Sequence, residues 1–230
     1  MPTALPTIDF HTHLDRQQPL TTAGSTIRII SVPRNEADLP LPENCFGTLE
    51  LHPWHGESMN SKFAQTAEAP KFIGIGEVGL DRLKGKLSLD GQIAEFTRTV
   101  LLANNLGKPL TIHCVKCFSE LLELYKRLKW RVPTIIHYYR SNLKLARQLW
   151  EHTDWVLSLP PAICGQKELL DFLRSNPEYQ QKIVLETDDP HHGDIEAHYK
   201  VISEALDISY TALQKLMLEQ FKRLYRDSII

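Results

Sequence analysis

The chain has 230 residues, 42% of them hydrophobic, and its 26 Lys and Arg against 28 Asp and Glu give a formal net charge of −2. This length suits one domain spanning residues 1–230 with a full core. The near-neutral charge excludes a long duplex-binding footprint but not a small cleft that engages a few phosphates.

No apolar run approaches the length needed to span a bilayer, so no membrane attachment is expected. The first strand-like run begins within about ten residues of the start, which leaves no room for a signal or transit peptide. The four cysteines, Cys45, Cys114, Cys117 and Cys164, are scattered in the manner of reduced thiols. Cys114 and Cys117 form a C-x-x-C without the second pair that a zinc ribbon needs, so they read as packing residues. A cytoplasmic protein is the expectation.

Taken in chain order, short apolar runs alternate with amphipathic stretches. Strands are expected at Thr7–Phe10, Thr26–Val32, Thr48–Leu51, Phe72–Gly76, Leu110–Ile112, Thr134–Ile136, Trp155–Leu159 and Ile183–Thr187. Several are continuous apolar runs, as in parallel strands covered on both faces. Between them, Ile93, Phe96, Val100 and Ala103 recur at helical spacing, and Gly107 and Pro109 stop that helix. Further stripes run through Phe118, Leu121, Leu122, Tyr125 and Leu128, through Leu143, Ala146, Leu149 and Trp150, and through Leu169, Phe172 and Leu173. A last helix, capped by Ser209, carries Leu213, Leu216, Met217, Phe221 and Leu224. Prolines between Pro33 and Asn44 make a regular helix improbable there. The fold expected is α/β, a TIM-type (β/α)8 barrel with a degenerate second β/α unit.

Six metal-ligand-type residues close these strand-like runs. His11 and His13 follow the first run, Glu77 ends Phe72–Gly76, His113 follows Ile112, His137 follows Ile136, and Asp188 follows Thr187. Barrel enzymes collect their active-site groups in this way, at the carboxyl ends of several strands. His11 and His13, two apart in an extended segment, point the same way and can reach one ion. Glu77 follows an almost wholly apolar run, and a carboxylate there is costly to bury unless paired or metal-bound. Four histidines and two carboxylates suffice for two divalent ions sharing a bridging group. Mixed nitrogen and oxygen ligation suits zinc, manganese, iron or nickel, and tolerates magnesium. Two ions about 3.5–4 Å apart would activate a bridging water for hydrolysis.

The segment Ile8-Asp9-Phe10-His11-Thr12-His13-Leu14-Asp15 resembles the opening of the TatD-like metal-dependent deoxyribonucleases of the amidohydrolase superfamily. Leu51-His52-Pro53-Trp54-His55 is similar to that family's His-Pro element. Gly76-Glu77-Val78-Gly79-Leu80-Asp81 is close to its most specific signature. Ile112-His113-Cys114, Ile136-His137 and Glu186-Thr187-Asp188-Asp189-Pro190 follow in the family's order, so the resemblance spans residues 8 to 190. It implies one metal held by His11, His13, Glu77 and Asp188. A second would be held by Glu77, His113 and His137, with Asp188 orienting or deprotonating the attacking water. It also implies phosphodiester hydrolysis in DNA, on single strands or 3′ ends.

The departures from the family fall in loops that face substrate and spare every ligand position. Val115 stands where the family often has arginine, and Tyr138-Tyr139-Arg140-Ser141 replaces Phe-Ser-Gly-Ser. Asp189 stands before the proline in place of a small residue, and His191 and His192 follow to line the cleft or an exposed turn. Arg82, Lys116 and Arg140 are candidates to bind phosphate. Trp54 is a candidate to stack on a base, and His52 and His55 to contact the scissile phosphate or orient a ligand. The same metal site could instead cleave a carboxylic ester, lactone or amide, aminoacyl esters included, and the altered loops and mild charge favour that alternative. A non-catalytic scaffold would be expected to have lost ligands, and all six positions are present.

Overall fold

The computed structural model describes residues 5–14, 26–189 and 193–225. Among these, eight strands pair in parallel in the order β1 to β8. They are β1 (Ile8–Thr12), β2 (Ile27–Val32), β3 (Cys45–Leu51), β4 (Phe72–Asp81), β5 (Leu110–Val115), β6 (Thr134–Ile136), β7 (Val156–Leu159) and β8 (Ile183–Leu185). Seven α-helices surround them: α1 (Ser61–Ala67), α2 (Leu89–Leu106), α3 (Phe118–Arg127), α4 (Leu143–His152), α5 (Lys167–Ser175), α6 (Ile195–Leu206) and α7 (Tyr210–Tyr225). The expected (β/α)8 barrel is therefore observed. Between β2 and β3, where prolines argue against a helix, only a short 3-10 turn (Arg34–Glu36) forms. No helix among the described residues is long and apolar enough to cross a membrane.

Alternation along the strands separates barrel interior from outer layer. Phe10 packs edge-on against Phe221 of α7, 6.4 Å between ring centroids, so Asp9 and His11 face the opposite, interior side. The helices follow their caps. Gly107 ends α2 with φ of 65°, a conformation that suits glycine. The Ser209 hydroxyl accepts the Ala212 N–H at the start of α7, as the sequence implies.

Two helices were not anticipated. Helix α1 starts where the Asn60 side chain accepts the Phe63 N–H, and α6 where Asp194 accepts the Glu196 N–H. The longest strand also runs past its expected end. β4 continues through Glu77 to Asp81, so Glu77 lies within the strand and not at its carboxyl end. Gly76 and Gly79 flank it because β5 passes very close. A Cβ at Gly79 would lie 2.0 Å from the His113 carbonyl oxygen, and one at Gly76 2.6 Å from that of Thr111.

The ends of the sheet meet between β1 and the segment after β8. The Asp188 N–H donates to the His11 carbonyl at 3.0 Å, and the His13 N–H to the Asp188 carbonyl at 2.8 Å. The buried Asp9 carboxylate accepts the Thr187 N–H at 3.0 Å and the Thr187 hydroxyl at 2.6 Å. Burial pushes the Asp9 carboxyl up to about 7. Thr187→Val keeps shape but deletes the hydroxyl, which should cost about 2 kcal/mol. Thermal unfolding should read this as a Tm lower by about 4–8 °C. An unchanged Tm would show that closure does not rest on this pair.

Candidate metal centre

Glu77 is 3% exposed and lies at the middle of a cluster of imidazoles. Its two oxygens serve different partners. Oε2 is 3.5 Å from His11 Nε2 and 3.5 Å from His13 Nε2. Oε1 is 2.9 Å from His52 Nε2, 2.5 Å from His113 Nδ1 and 3.0 Å from His137 Nε2. Asp188 completes the first side, with Oδ1 3.7 Å from His11 Nε2 and 3.6 Å from His13 Nε2. Three overlapping groups have donor atoms within 4.8 Å of one another and could hold a metal: His11, Glu77 and His137; His11, His13 and Asp188; His52, Glu77 and His113.

Neighbouring groups set which nitrogen of each imidazole carries a proton. His52 Nδ1 accepts the Trp54 backbone N–H at 3.1 Å. Its Nε2 must then carry the proton and donate to Glu77, so His52 orients that carboxylate. His113 is the reverse case. Its Nε2 lies 2.9 Å from Asp81 Oδ2, an ionised carboxylate that accepts a hydrogen bond from it and so keeps the proton on that nitrogen. That leaves Nδ1 facing Glu77 Oε1 at 2.5 Å. His137 presents Nε2 to Glu77, while its Nδ1 sits 3.2 Å from Glu186 Oε1. The Glu186 Oε1 also accepts the Tyr138 N–H at 2.6 Å.

His11 tests the fit of a metal most directly. It is fully buried, and neither of its ring nitrogens has a hydrogen-bond partner among the described residues. Such a ring is unfavourable in a protein interior unless something else takes its lone pair. Burial and the nearby His137 charge keep His11 below its ordinary pKa, and so neutral, as ligation requires. Burial alone would raise the Glu77 carboxyl, but the His137 charge and contacts with His11, His113 and His13 hold it well below the usual range. Asp188 is lowered too, since His13 together with the His137 and His11 rings outweighs its burial. Against their own burial, Asp188 and Glu77 lift His13 to about 10, and Glu77 and Glu186 lift His137 well above its ordinary value. Those protons are ones a bound cation would displace, and the unpartnered His11 ring within a close set of nitrogen and oxygen donors fits a divalent metal.

The remaining sequence candidates lie around this cluster. The Trp54 ring is 41% exposed beside His52 and His113, and its indole N–H donates to Asp81 Oδ2 at 2.6 Å. His55 is exposed, with Nδ1 3.5 Å from Glu50 Oε1. Arg82 is committed to Glu120 and to the Lys116 carbonyl rather than to the cluster. Lys116 and Arg140 are exposed, and the Arg140 guanidinium lies over the Tyr138 ring. His191 and His192 fall outside the described residues. Sequence reading missed the supporting carboxylates Asp81, Glu186 and Glu50. Glu50 accepts the Ser31 hydroxyl at 3.2 Å, and Ser31 in turn accepts the Glu77 N–H at 3.1 Å. The signal that singled out Glu77, a carboxylate within an apolar strand run, applies equally to Glu50 and Glu186.

Known proteins resemble this chain in sequence and in fold. A model of the family described as TatD related DNase matches residues 8–226. A relative from Klebsiella pneumoniae (strain 342), described as 3′-5′ ssDNA/RNA exonuclease TatD, is 25% identical over 155 residues, covering 64% of this chain and 58% of that protein. The chain thus spans less than two thirds of the length of such curated relatives. Among solved structures, a hydrolase of the TatD family from Entamoeba histolytica superposes with a TM-score of 0.78 at 17% identity, covering 97% of this chain and 99% of that one. A TatD homologue from Escherichia coli K12 gives 0.76 at 17% identity, covering 95% and 97%. These two likenesses establish a shared fold. With a family model matching almost its whole length, this chain belongs to the TatD related DNase family.

Proposed function

We propose that the protein is a metal-dependent nuclease that hydrolyses phosphodiester bonds in single-stranded nucleic acid, DNA foremost. The observation that carries this reading is the division of the Glu77 carboxylate. One oxygen faces His11 and His13, and the other faces His113 and His137. A carboxylate so divided suits two divalent ions, with magnesium, manganese and zinc as the candidates. His11, His13, Glu77 and Asp188 would hold one, and Glu77, His113 and His137 the other. When bound, the ions supply an activated water and neutralise charge on the phosphate. The 3′-5′ ssDNA/RNA exonuclease description of the Klebsiella relative supports the substrate class.

The chain's own groups do the rest. Asp188 is ionised at neutral pH and its side chain is 24% exposed, so Oδ1 is accessible to take a proton from the attacking water. His52 donates from Nε2 to Glu77 Oε1 and fixes the carboxylate plane. Asp81 holds the proton on His113 Nε2, which keeps Nδ1 free, and the Glu186 carboxylate lies 3.2 Å from His137 Nδ1 as its counter-charge. Against its burial, the bonds from Trp54 and His113 bring the Asp81 carboxyl down to about 2, so it stays an acceptor throughout the working range.

Two experiments test this reading. A labelled single-stranded oligonucleotide should be cut by wild type with magnesium or manganese, spared with chelator, and spared by Glu77→Ala. A metal-loaded wild type that leaves oligonucleotides intact while hydrolysing a small ester or lactone would overturn it. Asp81→Ala, which removes no proposed ligand but deletes the carboxylate behind His113, should weaken manganese binding by about 10–100-fold in calorimetric titration. Unchanged affinity would remove Asp81 from its orienting role.

A further inference from the structure

Two aromatic residues flank the half of the cluster formed by His113 and His137, and they are built in the same way. Trp54 follows β3. Its ring lies edge-on to His113, 5.5 Å between centroids, and its N–H is tied to Asp81, the carboxylate that orients His113. Tyr138 follows β6. Its ring lies 5.8 Å from His137, and its backbone N–H is tied to Glu186, the carboxylate paired with His137 at 3.2 Å. The two imidazoles between them are 6.0 Å apart. The rings thus run in the order Trp54, His113, His137, Tyr138.

Each outer ring also carries an exposed cation. Lys84 Nζ lies 4.4 Å from the Trp54 ring centroid, and the Arg140 guanidinium 5.5 Å from that of Tyr138. Tyr138 adopts φ of 49°, a left-handed conformation that a bulky residue seldom takes without a reason in its surroundings. Core packing does not account for this pair, because Trp54 is 41% exposed and Tyr138 only half-buried.

We propose that Trp54 and Tyr138 are two base-stacking subsites on either side of the scissile phosphate. Lys84 and Arg140 would pair with the phosphates of the stacked nucleotides. The ligand class is single-stranded nucleic acid read without sequence preference, since every base offers a π-face. A duplex has those faces already stacked and would be excluded except at frayed ends. The assignment rests on the nuclease reading, yet binding tests it apart from cleavage.

The experiment is equilibrium binding by fluorescence anisotropy with chelator present, so that nothing is cut. Oligothymidylate is compared with an abasic phosphodiester of the same length. Wild type should prefer oligothymidylate by about a hundredfold, and Trp54→Ala and Tyr138→Ala should each remove about tenfold of that preference. Trp54→Phe keeps a stacking face without the indole N–H and should retain most of it. A wild-type ratio near one, or ratios unchanged in both alanine variants, would overturn the proposal. So would Trp54→Phe falling as far as Trp54→Ala, which would assign the effect to the bond with Asp81. Base preference without metal-dependent cleavage would support these subsites and count against the nuclease reading.

Discussion

A carboxylate buried in a barrel of parallel strands is the constraint on which this structure depends. Glu77 is almost wholly removed from water, and an ionised carboxylate there is strongly unfavourable without compensating charge. Compensation comes from imidazoles on four different strands or the loops after them: His11 and His13 at β1, His52 after β3, His113 on β5 and His137 after β6. These residues are far apart in sequence and meet only if the barrel closes in register. The apolar core provides the stability, and the register provides the site.

Around this centre lies a second layer of acids. Asp81 faces His113, Glu186 faces His137, and Glu50 reaches Glu77 through Ser31. Asp9, also buried, joins the ends of the sheet through Thr187. Each of these carboxylates accepts from a backbone N–H, a hydroxyl or an imidazole, so the layer restricts rotamers and tautomers before any ligand arrives. That is preorganisation in the sense useful to catalysis: the donor atoms are already aimed.

Much of the fold was legible because parallel strands are continuous apolar runs, and the ligand-type residues punctuate them. His11, His13, His113, His137 and Asp188 were found for that reason, and Ser209 marked the last helix through its capping chemistry. Other features were not legible. β4 continues past Glu77 because Gly76 and Gly79 let β5 approach the backbone closely, a tertiary fact that no period in the sequence encodes. Helix α1 is only seven residues long and α6 is buried at His198 and Ser203 as well as at its apolar positions, so both carry weak patterns. The orienting role of His52 depends on a single backbone N–H at Trp54. Arg82 looked like a phosphate ligand by position, whereas its guanidinium is taken by Glu120.

With its oxygens divided between two sets of imidazoles, Glu77 would be shared by two ions if both sets were filled. Counting manganese bound per protein, by native mass spectrometry of wild type and of Glu77→Gln, tests it most directly. Two ions are expected in wild type and at least one fewer in the variant, with the barrel still folded. A single ion in wild type, or two ions retained by Glu77→Gln, would contradict it.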